Sequence, residues 1–128
     1  HPGFVPDLLG TADALERSGV RAAAGFGLNV GSFYSTEASV AHGTALSEVL
    51  GGGVRFVVDT GRNGRGRPPE NADGDPRWCN PAGRRIGTPP TLDPGIPLVD
   101  ALLWVKPPGE SDGDCDAGDP PAGAFVPE

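Results

Sequence analysis

No run of apolar residues in this 128-residue chain approaches the ~18–20 that a membrane-spanning helix requires. Positive charge is also short. The formal net charge is −7, which argues against nucleic acid or an anionic membrane surface as main partner, because both need a basic footprint. Lysine is nearly absent, with Lys106 alone against nine arginines. Cysteine is limited to Cys79 and Cys115. Two distant cysteines with no histidine nearby cannot fill a tetrahedral zinc site, and no metal is expected. Both lie in Gly/Pro/Asp-rich loops, which leaves two readings: one disulfide in an oxidising compartment, or two free thiols in a reducing one. The opening His1-Pro2-Gly3 lacks the charged start and apolar core of an export signal. A chain that starts without Met is either a processed product or a piece of something longer.

What the chain has in quantity is glycine (21) and proline (15), together about 28% of its residues, a share at which low-complexity sequence begins. Against disorder stand 37% hydrophobic residues and compact runs such as Val54 to Val58 and Ala101 to Val105. The chain reads as one loop-heavy unit. Apolar residues at Val5, Leu8, Leu9, Ala12 and Leu15, opened by Pro6-Asp7 and stopped by Gly19, predict a first helix. Ala22 to Val30 reads as a buried strand. A second helix starts from Ser35 or Thr36, with an expected apolar face at Ala38, Ala41, Ala45 and Val49, and ends at Gly51-Gly52-Gly53. Val54–Val58 and Ala101–Val105 complete three strands of the kind buried on both faces of a parallel sheet. From Thr60 to Pro97 no periodicity survives. A connection that long inside a compact domain points to function.

Helix and strand in alternation give an α/β class, yet three strands and two helices fall short of a closed architecture, so the chain reads as part of a larger domain. In parallel α/β sheets the working residues gather beyond the carboxyl ends of the strands. Here those ends carry Asn29 and Ser32, then Asp59 to Asn63, then Lys106, Glu110 and Asp112. A lysine beside two carboxylates offsets one of their charges and lets the pair divide acid and base roles. Two carboxylates with a sugar-stacking aromatic are what glycoside hydrolysis requires. A solvated acidic loop with an incidental lysine is the plainer alternative.

Other patterns are less complete. Asp112-Gly113-Asp114-Cys115-Asp116 begins like a calcium loop, but Ala117 and Gly123 stand where the turn glycine and the bidentate Glu belong. Gly25-Phe26-Gly27 and Gly61 to Gly66 do not complete a phosphate-binding fingerprint, so no nucleotide cofactor is expected. The arginines between 62 and 85 are interleaved with Glu70, Asp73 and Asp75 and read as loop-fixing ion pairs or sugar-hydroxyl donors rather than a nucleic-acid patch. His42 reads as a surface or packing histidine.

Four blocks in order, Gly25-Phe26-Gly27-Leu28-Asn29-Val30-Gly31-Ser32-Phe33, Phe56-Val57-Val58-Asp59-Thr60-Gly61-Arg62-Asn63-Gly64, Trp78-Cys79-Asn80-Pro81 and Trp104-Val105-Lys106-Pro107-Pro108-Gly109-Glu110-Ser111-Asp112-Gly113, resemble the signatures of the glycoside hydrolase family 6 cellulases. The resemblance covers essentially the whole chain. It implies that residues 1–128 are the carboxyl-terminal portion of a distorted, incompletely closed (β/α) barrel, without its amino-terminal part and last helix. The implied activity is hydrolysis of β-1,4-glucan (cellulose, cello-oligosaccharides) with inversion, by a secreted, extracellular enzyme that needs no cofactor.

By the same resemblance Asp112 matches the general base, or the end of a water relay to it. Lys106 and Glu110 match ligands of sugar hydroxyls, Trp78 a ring that stacks on glucose, and Asn29 a cleft-lining amide. His1 and Phe4 match the end of an Asp-Ala-Gly-His-x-x-Trp motif, with Phe4 in place of the usual Trp. Cys79 and Cys115 match a disulfide. The expected picture is Lys106, Glu110 and Asp112 in one groove floored by Trp78. Nothing in the chain matches the family's general acid, so the segment alone is expected to be inactive. The short loop between Asp112 and Phe125 favours an open cleft and endo action. The competing expectation is a non-catalytic carbohydrate-binding segment with a structural acidic loop.

Overall fold

A computed structural model describes residues 7–69 and 78–126. The expectations for His1 and Phe4 therefore lie outside the described residues. Asp7 caps the first helix, α1 (Leu8–Arg17), by accepting from the Gly10 amide at 3.0 Å. A single 3-10 turn at Val20–Ala22 follows, then β1 (Phe26–Leu28), α2 (Thr36–Val49), β2 (Phe56–Asp59) and β3 (Val99–Leu103). Ser35 caps α2 through the Ala38 amide at 3.2 Å. None of the described helices is long and apolar enough to cross a membrane.

The strands form one parallel sheet in the order β1-β2-β3, with Phe26 opposite Phe56 and Val58 opposite Leu102. This is the expected α/β arrangement. The strand bounds differ from expectation in a consistent way. β1 is only three residues long, because Gly25 and Asn29 bracket it. A Cβ on Gly25 would sit 2.0 Å from the Arg55 carbonyl oxygen, and Asn29 turns left-handed at φ 61°. β2 and β3 each begin two residues later or earlier than the apolar runs suggest.

Leu28, Phe56, Val58, Val99 and Leu102 form the core with Ala12 of α1 and Leu46 of α2. The face that α2 buries is not the expected alanine stripe: Ala38, Ala41 and Val49 are exposed, while Ser39, Gly43, Leu46 and Ser47 are buried. Gly43 is the reason. A Cβ there would meet the Phe56 ring at 2.5 Å and Leu28 at 2.7 Å, so the helix presents its smallest residues to the sheet to let the large side chains in.

The long connection after β2 has neither helix nor strand among its described residues, as expected, and is pinned to the strand ends instead. Thr60 Oγ1 donates to the Thr88 carbonyl at 2.7 Å, and Thr91 bridges Leu102 antiparallel. Because all three strands run the same way, their carboxyl ends and the first part of this connection share one edge of the sheet.

Candidate functional site at the carboxyl edge of the sheet

Asp59, the last residue of β2, organises that edge. It is 2% exposed. Its Oδ1 accepts from the Gly61 amide at 2.9 Å, and its Oδ2 from the amides of Gly31 at 2.9 Å and Lys106 at 3.0 Å. One carboxylate thus ties together the loops after all three strands. Asn29 works beside it. Its amide donates to the carbonyls of Tyr34 and Asp59, both at 2.9 Å, and accepts from the Tyr34 amide at 3.2 Å. The expected cleft-lining residue is therefore buried, with both amide hydrogens engaged by the main chain.

The three residues expected to act together do converge. Lys106 Nζ lies 3.0 Å from Glu110 Oε2 and 3.7 Å from Asp112 Oδ1, and donates to the Ser111 carbonyl at 3.1 Å. Arg62 joins them from the loop after β2, its Nη1 2.8 Å from both oxygens of Asp112. Nη2 of the same guanidinium donates to the Gly31 carbonyl, and the group lies 4.3 Å from the centroid of the Phe33 ring. Two cations and two carboxylates make a nearly neutral cluster that solvent reaches only in part: the Arg62 and Asp112 side chains are 12% and 21% exposed. At that burial a charge pair is screened less than at the surface, and its geometry is held more firmly.

Trp78 enters through Phe33. Its ring stacks on Tyr34 (centroids 5.4 Å apart) and on Phe33 (6.4 Å), and Phe33 carries Arg62. Two residues further on, Asn80 bonds Asp112 directly. An aromatic cluster and a charge cluster thus lie side by side. A cavity of about 540 Å³ has Phe33, Arg62, Asn80, Arg84 and Glu110 among its walls. Phe33 rather than Trp78 forms its aromatic wall, which differs from the expected groove floored by the indole.

Cys79 and Cys115 are joined as a disulfide, with Cα atoms 6.3 Å apart, and no free cysteine remains. Among the described residues one trio of metal-ligand types comes together, these two cysteines with Asp119, and its sulfurs are already bonded to each other. His42 is half-buried on α2. Burial pushes its pKa below the ordinary value, and its Nε2 finds no partner among the described residues. It is a packing histidine, away from the charge cluster.

Sequence reasoning placed Asp59 and Arg62 at the strand ends without giving either a role, and missed Asn80 and Phe33 as members of the site. A buried aspartate ending an apolar run was the one available signal, since such a residue is rarely buried without partners. Arg62 had no local signal among its neighbouring arginines.

With this geometry in place, the chain can be compared with known proteins. The family profile of Glycosyl hydrolases family 6 matches residues 7–128. Endoglucanase 1 of Streptomyces halstedii is 44% identical over 127 residues, 95% of this chain and 36% of that protein. The probable 1,4-β-D-glucan cellobiohydrolase C of Aspergillus terreus is 53% identical over 64 residues, half of this chain and 13% of that protein. The solved structure of the endoglucanase Cel6 from Mycobacterium tuberculosis, in complex with methyl-cellobiosyl-4-deoxy-4-thio-β-D-cellobioside, matches with a TM-score of 0.82 at 44% identity, covering 93% of this chain and 39% of that one. The chain spans about a third of the length of the curated relatives it matches along most of its length.

Proposed function

The chain belongs to Glycosyl hydrolases family 6, and from that premise we propose that its residues 1–128 form the carboxyl-terminal part of a cellulase catalytic domain, an open (β/α) barrel. The proposed reaction is hydrolysis of β-1,4-glucosidic bonds with inversion, in a secreted enzyme. The observation that carries the reading is the cluster of Arg62, Lys106, Glu110 and Asp112 at the carboxyl edge, reached from an aromatic group that holds Trp78. Asp112 is the proposed base or the terminus of a water relay to it. Arg62 Nη1 lies 2.8 Å from both of its oxygens and the Asn80 amide also donates to Oδ2, so an attacking water would use the lone pairs that these contacts leave. Lys106 and Glu110 are proposed to bind sugar hydroxyls, and Trp78 to stack on a glucose ring. His1 and Phe4 are proposed to serve the leaving-group side.

An inverting reaction uses a second carboxyl group roughly 6.5–9.5 Å from the base, with water between. Glu110 is tied to the ammonium that also faces Asp112, and suits a sugar ligand better than an acid. The acid is therefore assigned to the remainder of the domain, which the relatives' length supports. Endo action is favoured by the loop beyond Asp112. It is short and folds back on itself, Ser111 accepting from Gly123 at 3.1 Å and donating to Ala124 at 2.9 Å.

The test uses the full-length enzyme and soluble cello-oligosaccharides. Asp112→Asn is expected to lower kcat by about 10²-fold or more while binding persists. Trp78→Ala is expected to weaken binding. Hydrolysis untouched in Asp112→Asn, with binding lost in Trp78→Ala, would replace this reading by a carbohydrate-binding segment. The 128-residue chain by itself is expected to give no turnover.

A further inference from the structure

Asp112 stands on a loop tied on one side by the Ser111 bonds to Gly123 and Ala124 and on the other by the Cys79–Cys115 disulfide. Gly109 and Gly113 flank it with positive φ, and no helix or strand carries it. Arg62 and Lys106 grip its carboxylate, but both are long side chains that can follow the charge if the backbone moves. The group that fixes the backbone itself is Asn80.

Four hydrogen bonds run from this one residue to three consecutive positions. Its Oδ1 accepts from the Asp112 amide at 2.8 Å and from Ser111 Oγ at 3.3 Å. Its Nδ2 donates to the Gly113 carbonyl at 2.8 Å, and its own main-chain amide donates to Asp112 Oδ2 at 3.2 Å. The single Ser111 hydroxyl hydrogen is shared between Asn80 Oδ1 and the closer Pro120 carbonyl at 2.8 Å. Asn80 is in turn held in place. It adopts φ 43°, a conformation that asparagine tolerates better than most side chains, and the preceding Cys79 is bonded to Cys115 on the same loop. Only a short side chain carrying both an acceptor and a donor can make this set.

We propose that Asn80 is a positioning residue for the reaction: it sets where the Asp112 carboxylate stands relative to Arg62 and the sugar, and touches no substrate itself. The inference rests on the reading of Asp112 as the catalytic carboxylate. A displacement of about 1 Å at such a group can cost on the order of 10²-fold in rate, so the effect belongs in kcat.

The experiment measures kcat and KM of the full-length enzyme on a soluble cello-oligosaccharide for Asn80→Gly, Asn80→Asp and Asp112→Asn. Asn80→Gly keeps the left-handed backbone and deletes the side chain. It is expected to lower kcat about tenfold or more with KM within about twofold. Asn80→Asp retains the acceptor for the Asp112 amide but faces the Gly113 carbonyl with a second oxygen, and is expected to recover part of that loss. Wild-type kcat in Asn80→Gly, with Asp112→Asn inactive, overturns the role of Asn80 alone. Equal losses in Asn80→Gly and Asn80→Asp, or a loss in which KM moves with kcat, also overturn it, since a merely structural residue behaves so. Wild-type turnover in Asp112→Asn overturns the catalytic reading and this inference together.

Discussion

On the helix-bearing side of the sheet, Leu46, Leu50, Phe56 and Val58 are at most 1% exposed and are held by contact with other apolar groups. At the carboxyl edge Asn29, Asp59, Thr60 and Ser111 are at most 2% exposed, yet every one is polar and bonded to residues remote in sequence. Burial is equal on the two sides, and its physics is opposite. Apolar packing degrades gradually, since a changed volume is shared among neighbours. A buried polar network fails more abruptly, because each lost partner leaves another group unsatisfied. The edge can thereby hold charges in a fixed geometry, and it is correspondingly intolerant of change.

The comparison breaks most sharply at the disulfide. Replacing Cys79 and Cys115 by alanine opens a link between residues 36 apart, worth about 4 kcal/mol by chain-entropy arithmetic. The full-length enzyme is expected to lose both melting temperature and kcat, because the link anchors the Asn80–Asp112 contact. A variant with lowered melting temperature and intact kcat would uncouple the edge from its staple. Next in size is Asp59→Ala, which leaves the amides of Gly31, Gly61 and Lys106 without their acceptor. A loss of about 3 kcal/mol in denaturant unfolding is expected, with activity lost alongside.

The packed side should behave differently. Gly43→Ala forces a methyl group against the Phe56 ring and should cost about 1–3 kcal/mol, with kcat unchanged below the melting transition. If kcat fell as steeply as stability, the two sides would not be separable. The smallest effect belongs to His42. Its pKa lies below the ordinary 6.5 because burial disfavours the charged ring. The unfolded chain then takes up the proton first, so this contribution to stability is present above about pH 6.5 and is lost as pH falls through the lower, folded value. His42→Gln should flatten the acid side of a melting-temperature profile; an unchanged slope would remove the histidine from that account.

The same contrast explains what was legible in the sequence. Asp7, Ser35 and Gly51 marked the helix ends because capping is local chemistry. The α2 face was misread because the periodicity of alanine competed with a face of serine and glycine chosen for closeness to Phe56. β3 starts at Val99 rather than Ala101, since Asp100 interrupts the apolar run yet points outward to pair with Arg55. At the edge Lys106, Glu110 and Asp112 could be read together because they are neighbours in the chain. Arg62 and Asn80 reach Asp112 from 50 and 32 residues away, and no local pattern encodes such a contact.

The most direct measurement of the central claim is a crystal structure of the full-length enzyme with a thio-linked cello-oligosaccharide. The account predicts a sugar ring on Trp78 and hydroxyls on Lys106 and Glu110, with the linkage facing a water beside the Asp112 carboxylate. A sugar chain bound away from this edge, with the Arg62–Asp112 pair left facing the protein interior, would contradict it.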